Sequence, residues 1–227
     1  MDKRYNDNHL QEEKRIVSGY LFDLDGVLID SESQYTRIWE EIDEEYPTGV
    51  DNFAIRIKGT TLHDILSTYF PEDMHATIKA ALDEKEGAMT YSYTSGAERL
   101  LRSLQERGHG TVLVTSSNLD KMKKLDSQLP ELTGYFTDII TGDRVSRSKP
   151  DPEGYLLGAG IIKADPRNCV VFEDSLQGVK AGRASGSYVI GVAGTCERTQ
   201  LSEYADIVVD SLEEIDLDML EEKLKTR

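Results

Sequence analysis

FDLDGVLIDSE, Phe22 to Glu32, is the stretch on which the fold turns. It closes an apolar run that starts at Ile16, and a short run of this kind predicts a strand buried on both faces. Asp23 and Asp25 stand at its carboxyl end, with Gly26 immediately after. Side chains alternate along a strand, so the two aspartates point the same way, with Leu24 opposed. Two carboxylates in that position are costly unless a cation or a shared proton compensates them. Gly26 permits a sharp turn and a close approach of backbone to a ligand. An acidic turn that only capped a helix would not need so apolar a strand before it.

Working outward, similar short runs recur at Thr111 to Thr115, Asp138 to Thr141, Cys169 to Phe172, Tyr188 to Val192 and Asp206 to Val209. Amphipathic segments lie between them. Leu100, Leu101 and Leu104 share one helical face before Gly108, and Leu119, Met122, Leu125 and Leu129 share another after Asn118, a fitting N-cap. Strands alternating with helices predict an α/β fold, a doubly wound, Rossmann-like parallel sheet with its function at the carboxyl ends of the strands.

Residues 33–93 break the rhythm. Tyr35, Ile38, Trp39 and Ile42 form one helical stripe, Leu62, Ile65, Leu66 and Tyr69 a second, and Met74, Ile78, Ala81 and Leu82 a third. The spacing predicts an all-helical domain of three helices, residues 33–93, inserted into a core made of 1–32 and 94–227. Core packing accounts for most of its aromatic residues.

At 227 residues, 38% hydrophobic and 30% charged, the chain can bury a sizeable core. A net charge of −16 opposes nucleic acid and anionic membranes over most of the surface. Cys169 and Cys196 offer no disulfide framework, and Cys169 reads as a small core residue. MDKRYNDNHLQEEKRI has no apolar core of a signal peptide, and no run reaches membrane-spanning length. A cytoplasmic protein, monomer or weak homo-oligomer, is expected.

Three more strand ends carry chemistry. VLVTSSN ends in Thr115, Ser116 and Ser117 at a strand-to-helix junction, where hydroxyls and free N–H groups suit an anion or simply cap a helix. In SKPDP, Pro150 keeps Lys149 out of a helix, at the start of the next one. CVVFEDSLQG delivers Glu173 and Asp174 to a strand end, and oxygen ligands alone favour a hard cation such as Mg²⁺. Together these ends hold a carboxylate nucleophile with an acid/base, hydroxyls, a lysine and metal carboxylates, the set that phosphoryl transfer uses.

In this order, over almost the whole chain, the four segments resemble the motifs of the haloacid dehalogenase superfamily. The subgroup with a helical cap after the first motif, which includes β-phosphoglucomutase and many sugar-phosphate phosphatases, is the most similar. The resemblance implies that Asp23 forms an aspartyl-phosphate while Asp25 serves as acid and base. It further implies that Asp23, Gly26, Thr115, Ser116 and Lys149 hold the phosphate. Mg²⁺ would be held by Asp23, Asp174 and the backbone carbonyl of Asp25, with Glu173 in or beside its shell.

Dehalogenating relatives usually lack the second aspartate, and phosphonate-cleaving ones lack it and use a cap lysine. Asp25 therefore points to a phosphate ester of a small metabolite. β-Phosphoglucomutase has a histidine where this chain has Tyr35 and a cap arginine where it has Leu62, in KGTTLHD. Hydrolysis is thus expected ahead of mutase chemistry, although Arg56 or Lys58 could replace that arginine; both are expected as exposed charges. A non-catalytic protein that binds a phosphometabolite is the alternative from another class, and loss of a motif residue would mark it. The histidines, His9, His63, His75 and His109, cluster with no motif.

Overall fold

A computed structural model describes residues 17–58 and 60–225. The polar leading segment, His9 and the start of the first run at Ile16 lie outside the described residues, as does Gly59 within KGTTLHD. The apolar runs form β1 (Gly19–Phe22), β2 (Thr111–Val114), β3 (Asp138–Ile140), β4 (Cys169–Glu173), β5 (Tyr188–Val192) and β6 (Ile207–Val209). All pair in parallel, in the order β3-β2-β1-β4-β5-β6. This is the expected doubly wound α/β sheet.

Helices cover both faces because the strands are apolar on both. After β1 come α1 (Glu32–Glu45), α2 (Phe53–Arg56), α3 (Leu62–Tyr69), α4 (His75–Gly87) and α5 (Ala97–Glu106). Later follow α6 (Leu119–Gln128), α7 (Glu153–Ile161), α8 (Leu176–Ala184), α9 (Arg198–Ser202) and α10 (Leu217–Lys225). Tyr20, Phe22, Val170 and Phe172 turn toward α5, α6 and α10, with the Phe22 and Phe172 rings stacked at 4.6 Å. Leu21, Val171 and Val189 turn the other way, toward α7, α8 and α9. Each such fully buried side chain contributes roughly 1.5–3 kcal/mol. Cys169 is buried in this second layer, as the sequence implies. The Asn118 side chain caps α6 by accepting from the Lys121 N–H at 2.9 Å.

The helices α1 to α4 pack mainly on one another through Ile38, Trp39 and Ile42, Phe53 and Ala54, and Ile78 and Leu82. Phe53 sets its ring edge-on to Trp39 and Phe70, both at 5.9 Å. The short α2 was not expected. One turn of helix, entered through Asn52 at φ 54°, carries too few residues to show a period. The chain leaves the core and returns to it through paired segments. Ile29 bridges Tyr93 antiparallel, and N–H groups run from Asp30 to the Ser92 carbonyl and from Thr94 to the Leu28 carbonyl, both at 3.0 Å.

Connections from β1 and from β4 run to opposite sides of the sheet, so the carboxyl ends of these neighbours frame a crevice. No helix among the described residues is long and apolar enough to cross a membrane.

Candidate active site

The strand β1 ends at Phe22, and the Asp23 N–H donates to the Phe172 carbonyl at 3.0 Å, which holds Asp23 beside the end of β4. Lys149, from the loop before α7, donates to the Asp23 carboxylate, to Glu173 Oε1 at 2.5 Å and to the Val114 carbonyl at 3.1 Å. Glu173 is fully buried and also accepts from the Tyr155 hydroxyl at 2.5 Å and from Ser175 Oγ at 3.2 Å. Carboxylate oxygens of Asp23, Glu173 and Asp174 converge within 4.8 Å, and Thr195 donates to Asp174.

Gly26 borders this cluster at φ 72°, and a side chain on it would run into the Asp174 carboxylate and the Thr195 hydroxyl. Its N–H is taken by the Ile29 carbonyl at 3.0 Å. Gly26 thus supplies room at the site and no free donor.

Asp25 lies beyond the end of β1, in a turn that bridges to Ile29, so strand alternation does not orient it. Its carboxylate accepts from Ser31, from Ser117 Oγ at 3.0 Å and from Lys121 Nζ at 2.6 Å. The two aspartates still line one cavity, each with its own lysine. Thr115 is buried and its hydroxyl accepts from the Ser117 N–H at 3.0 Å, whereas Ser116 is exposed at the cavity mouth.

The two halves differ electrostatically. Burial pushes Asp23 up to about 8; Lys149 opposes the rise, and Glu173 and Asp25 add to it. Burial, then Asp23, Glu173 and Glu32, drives Asp174 well above the carboxylate range against the pull of Thr195. Burial alone would lower Lys149, but Asp23 and Glu173 outweigh it and raise it. Burial would raise Asp25, yet Lys121, Ser31 and Ser117 outweigh it and hold it low. Three carboxylates around one lysine leave excess negative charge, and their oxygens fit a hard divalent cation.

A pH dependence follows for the protein in EDTA. Between the ordinary 3.8 and about 8, folded Asp23 keeps a proton that the unfolded chain has released. Stability is therefore expected to fall as pH rises through that window, on the order of a few kcal/mol in total. Asp25, held low, acts only below it. Urea midpoints at pH 5 and pH 8 check this; a midpoint that rises with pH would contradict it.

The cavity of about 360 Å³ has Asp23, Asp25, Thr115, Lys149 and Asp174 on the sheet side. Tyr35, Trp39, Ile57, Lys58, Leu62 and Glu86 face them from α1 to α4. Lys58 is not the exposed charge the sequence suggested: it lines the cavity and pairs with Glu32 at 3.1 Å, because the turn after α2 tucks it inward. Arg56 is exposed and outside the cavity. His63 is also exposed, His75 bonds the Phe70 carbonyl and His109 contacts Glu221, so none of these three joins the cavity.

Residues 17–186 match the sequence profile of the haloacid dehalogenase-like hydrolases. The chain belongs to that family. This hydrolase is 33% identical to hexitol phosphatase A of Escherichia coli strain K12 over 206 residues, covering 87% of this chain and 92% of that protein. It is 30% identical to validoxylamine A 7′-phosphate phosphatase of Streptomyces hygroscopicus subsp. limoneus, covering 86% and 94%. Its fold matches β-phosphoglucomutase from Clostridium difficile with a TM-score of 0.78, at 22% identity over 93% of this chain and 98% of that one.

Sequence reasoning about this haloacid dehalogenase-like hydrolase missed Ser31, Lys121, Tyr155 and Thr195. Lys121 carried a signal. It sits in the first turn of α6, where the helix dipole disfavours a cation, and helical side chains lean back toward the N-terminus. A lysine there aims at the strand end from which the helix starts.

Proposed function

We propose that this hydrolase removes the phosphate from a small sugar or polyol monophosphate, with Mg²⁺, through a covalent aspartyl-phosphate, an acyl phosphate, on Asp23. The observation that carries this reading is the unlike setting of the two aspartates: Asp23 shares a crowded carboxylate cluster with Lys149, whereas Asp25 has Lys121 and two hydroxyls to itself. Paired carboxylates with separate environments can divide nucleophilic and acid/base work.

In this scheme Asp23 attacks phosphorus, and the Asp25 carboxyl protonates the departing oxygen. Asp25 then takes a proton from the water that opens the Asp23 acyl phosphate, the stage for which Lys121, Ser31 and Ser117 favour its ionised form. The Thr115 hydroxyl and the Ser116 N–H bind the phosphoryl oxygens beside Lys149. Mg²⁺, held by Asp23, Asp174 and the Asp25 backbone carbonyl, would neutralise charge on the same oxygens. Glu173, with both oxygens already engaged, orients Lys149. The helices of residues 33–93 act as a cap that excludes water and chooses the leaving group.

Relatives named hexitol phosphatase A and 2-deoxyglucose-6-phosphate phosphatase 1 support a small hydroxylated substrate. Mutase chemistry must also grip a second phosphate. Among the described residues no arginine lines the cavity, and Lys58 and Lys121 are already paired. Retention of every motif residue weighs against a non-catalytic binder.

The test is an assay of the purified protein against sugar and polyol monophosphates with Mg²⁺ or EDTA, following free phosphate and isomerised ester. Mg²⁺-dependent phosphate release is expected. Isomer formation without matching phosphate would make it a mutase, and neither product from any ester would overturn the hydrolytic reading.

A further inference from the structure

The cavity holds three lysines, and each has a carboxylate partner: Lys58 with Glu32, Lys121 with Asp25 and Lys149 with Asp23. Of the carboxylates that line it, Asp174 and Glu86 have no lysine or arginine within ion-pair distance among the described residues. Asp174 belongs to the cluster that fits a metal. Glu86 does not. It projects from the end of α4 on the opposite wall, which Tyr35 also lines. Lys121 stands 4.4 Å from the centre of the Tyr35 ring and pulls on Glu86 from a distance. The Tyr91 hydroxyl, buried and without a hydrogen-bond partner, lies in the field of Glu86 and Asp25. Trp39, Ile57, Ile65 and Leu82 line the same wall with apolar surface.

A half-buried carboxylate with no cation beside it needs hydrogen-bond donors, and it repels a second anion. Hydroxyl groups are such donors, and the C–H faces of a polyol suit apolar walls.

We infer that Glu86 is a specificity-determining residue that accepts hydroxyls of an uncharged polyol leaving group and excludes leaving groups bearing a further negative charge. This deepens the monophosphatase reading and rests on it. Substrates of this class are monophosphates with several free hydroxyls and no carboxylate or second phosphate.

The test is calorimetric titration, with Mg²⁺, of the non-turnover variant Asp23→Asn, alone and combined with Glu86→Gln. The probes are a hexitol 6-phosphate, hexyl phosphate of the same length without hydroxyls, and a hexonate 6-phosphate with an added carboxylate. The parent should prefer the hexitol ester to the hexyl ester. Glu86→Gln should cut that preference about tenfold, the scale of a hydrogen bond to a charged group. It should also raise the affinity of the hexonate ester relative to the hexitol ester. Tyr35→Phe, which removes one hydroxyl, should shift both ratios the same way by a smaller factor. Equal changes for hexitol and hexyl esters, or no preference in the parent, would overturn the assignment. Loss of the preference in Glu86→Gln, when the enzyme with Asp23 intact releases no phosphate from any ester, would sink the hydrolytic reading and leave the Glu86 assignment standing; phosphate release by that enzyme with unmoved ratios would do the reverse.

Discussion

Asp23→Asn is expected to lower phosphate release by about ten-thousand-fold or more while the protein stays folded. An amide can lie beside Lys149 and still accept its hydrogen bond, but it cannot form the acyl-phosphate bond to phosphorus. Stability should not suffer. The change removes one of three carboxylates that crowd each other at the ends of β1 and β4, and Lys149 keeps Glu173. Phosphate release and thermal unfolding, measured in parallel with and without Mg²⁺, separate the two effects. Retention of more than about a hundredth of the parent rate would move the nucleophile's role to another residue.

Lys149→Met should fail in both measurements. The ammonium sits between Asp23 and Glu173 on a side chain only 12% exposed, and its removal leaves those carboxylates with no cation. Breaking a buried pair from one side costs about 3–5 kcal/mol, and part of that should return when Mg²⁺ is added. Activity should not return with it, because in the proposed scheme the same ammonium faces the phosphoryl oxygens. A second change, Glu173→Gln, should recover stability in EDTA and leave the rate low. Urea unfolding of the single and double variants gives the comparison; a single variant as stable as the parent in EDTA would mean that Lys149 carries little of the local charge balance.

The sheet was legible because strands buried on both faces must be apolar without interruption, and few other elements of four or five residues are. The functional strand ends were legible for the opposite reason: polar residues such as Asp23, Thr115 and Asp174 follow those runs at once, where burial makes them expensive. Lys149 was found through its proline. Glu86 was hidden because a charge on an amphipathic helix is ordinarily solvated, and Lys121 had only its first-turn position to mark it; the cavity that both line shows that these two face inward. The misjudged Lys58 has the same origin. Whether a charge on a short helix points out or in depends on a neighbour far along the chain, and local periodicity carries no record of it.

The paired crossing at Ile29 and Tyr93 has a consequence for descent as well as for motion. Because the chain departs and rejoins the core at one spot, everything between those residues is a closed excursion that contributes no strand to the six-stranded sheet. A foreign excursion of similar span could be spliced at that crossing without altering any strand neighbour. In the proposed scheme the groups that choose the leaving group sit mostly on this excursion and those that do the chemistry mostly outside it, with Ser31, which bonds Asp25, as the one link that an exchange would have to keep.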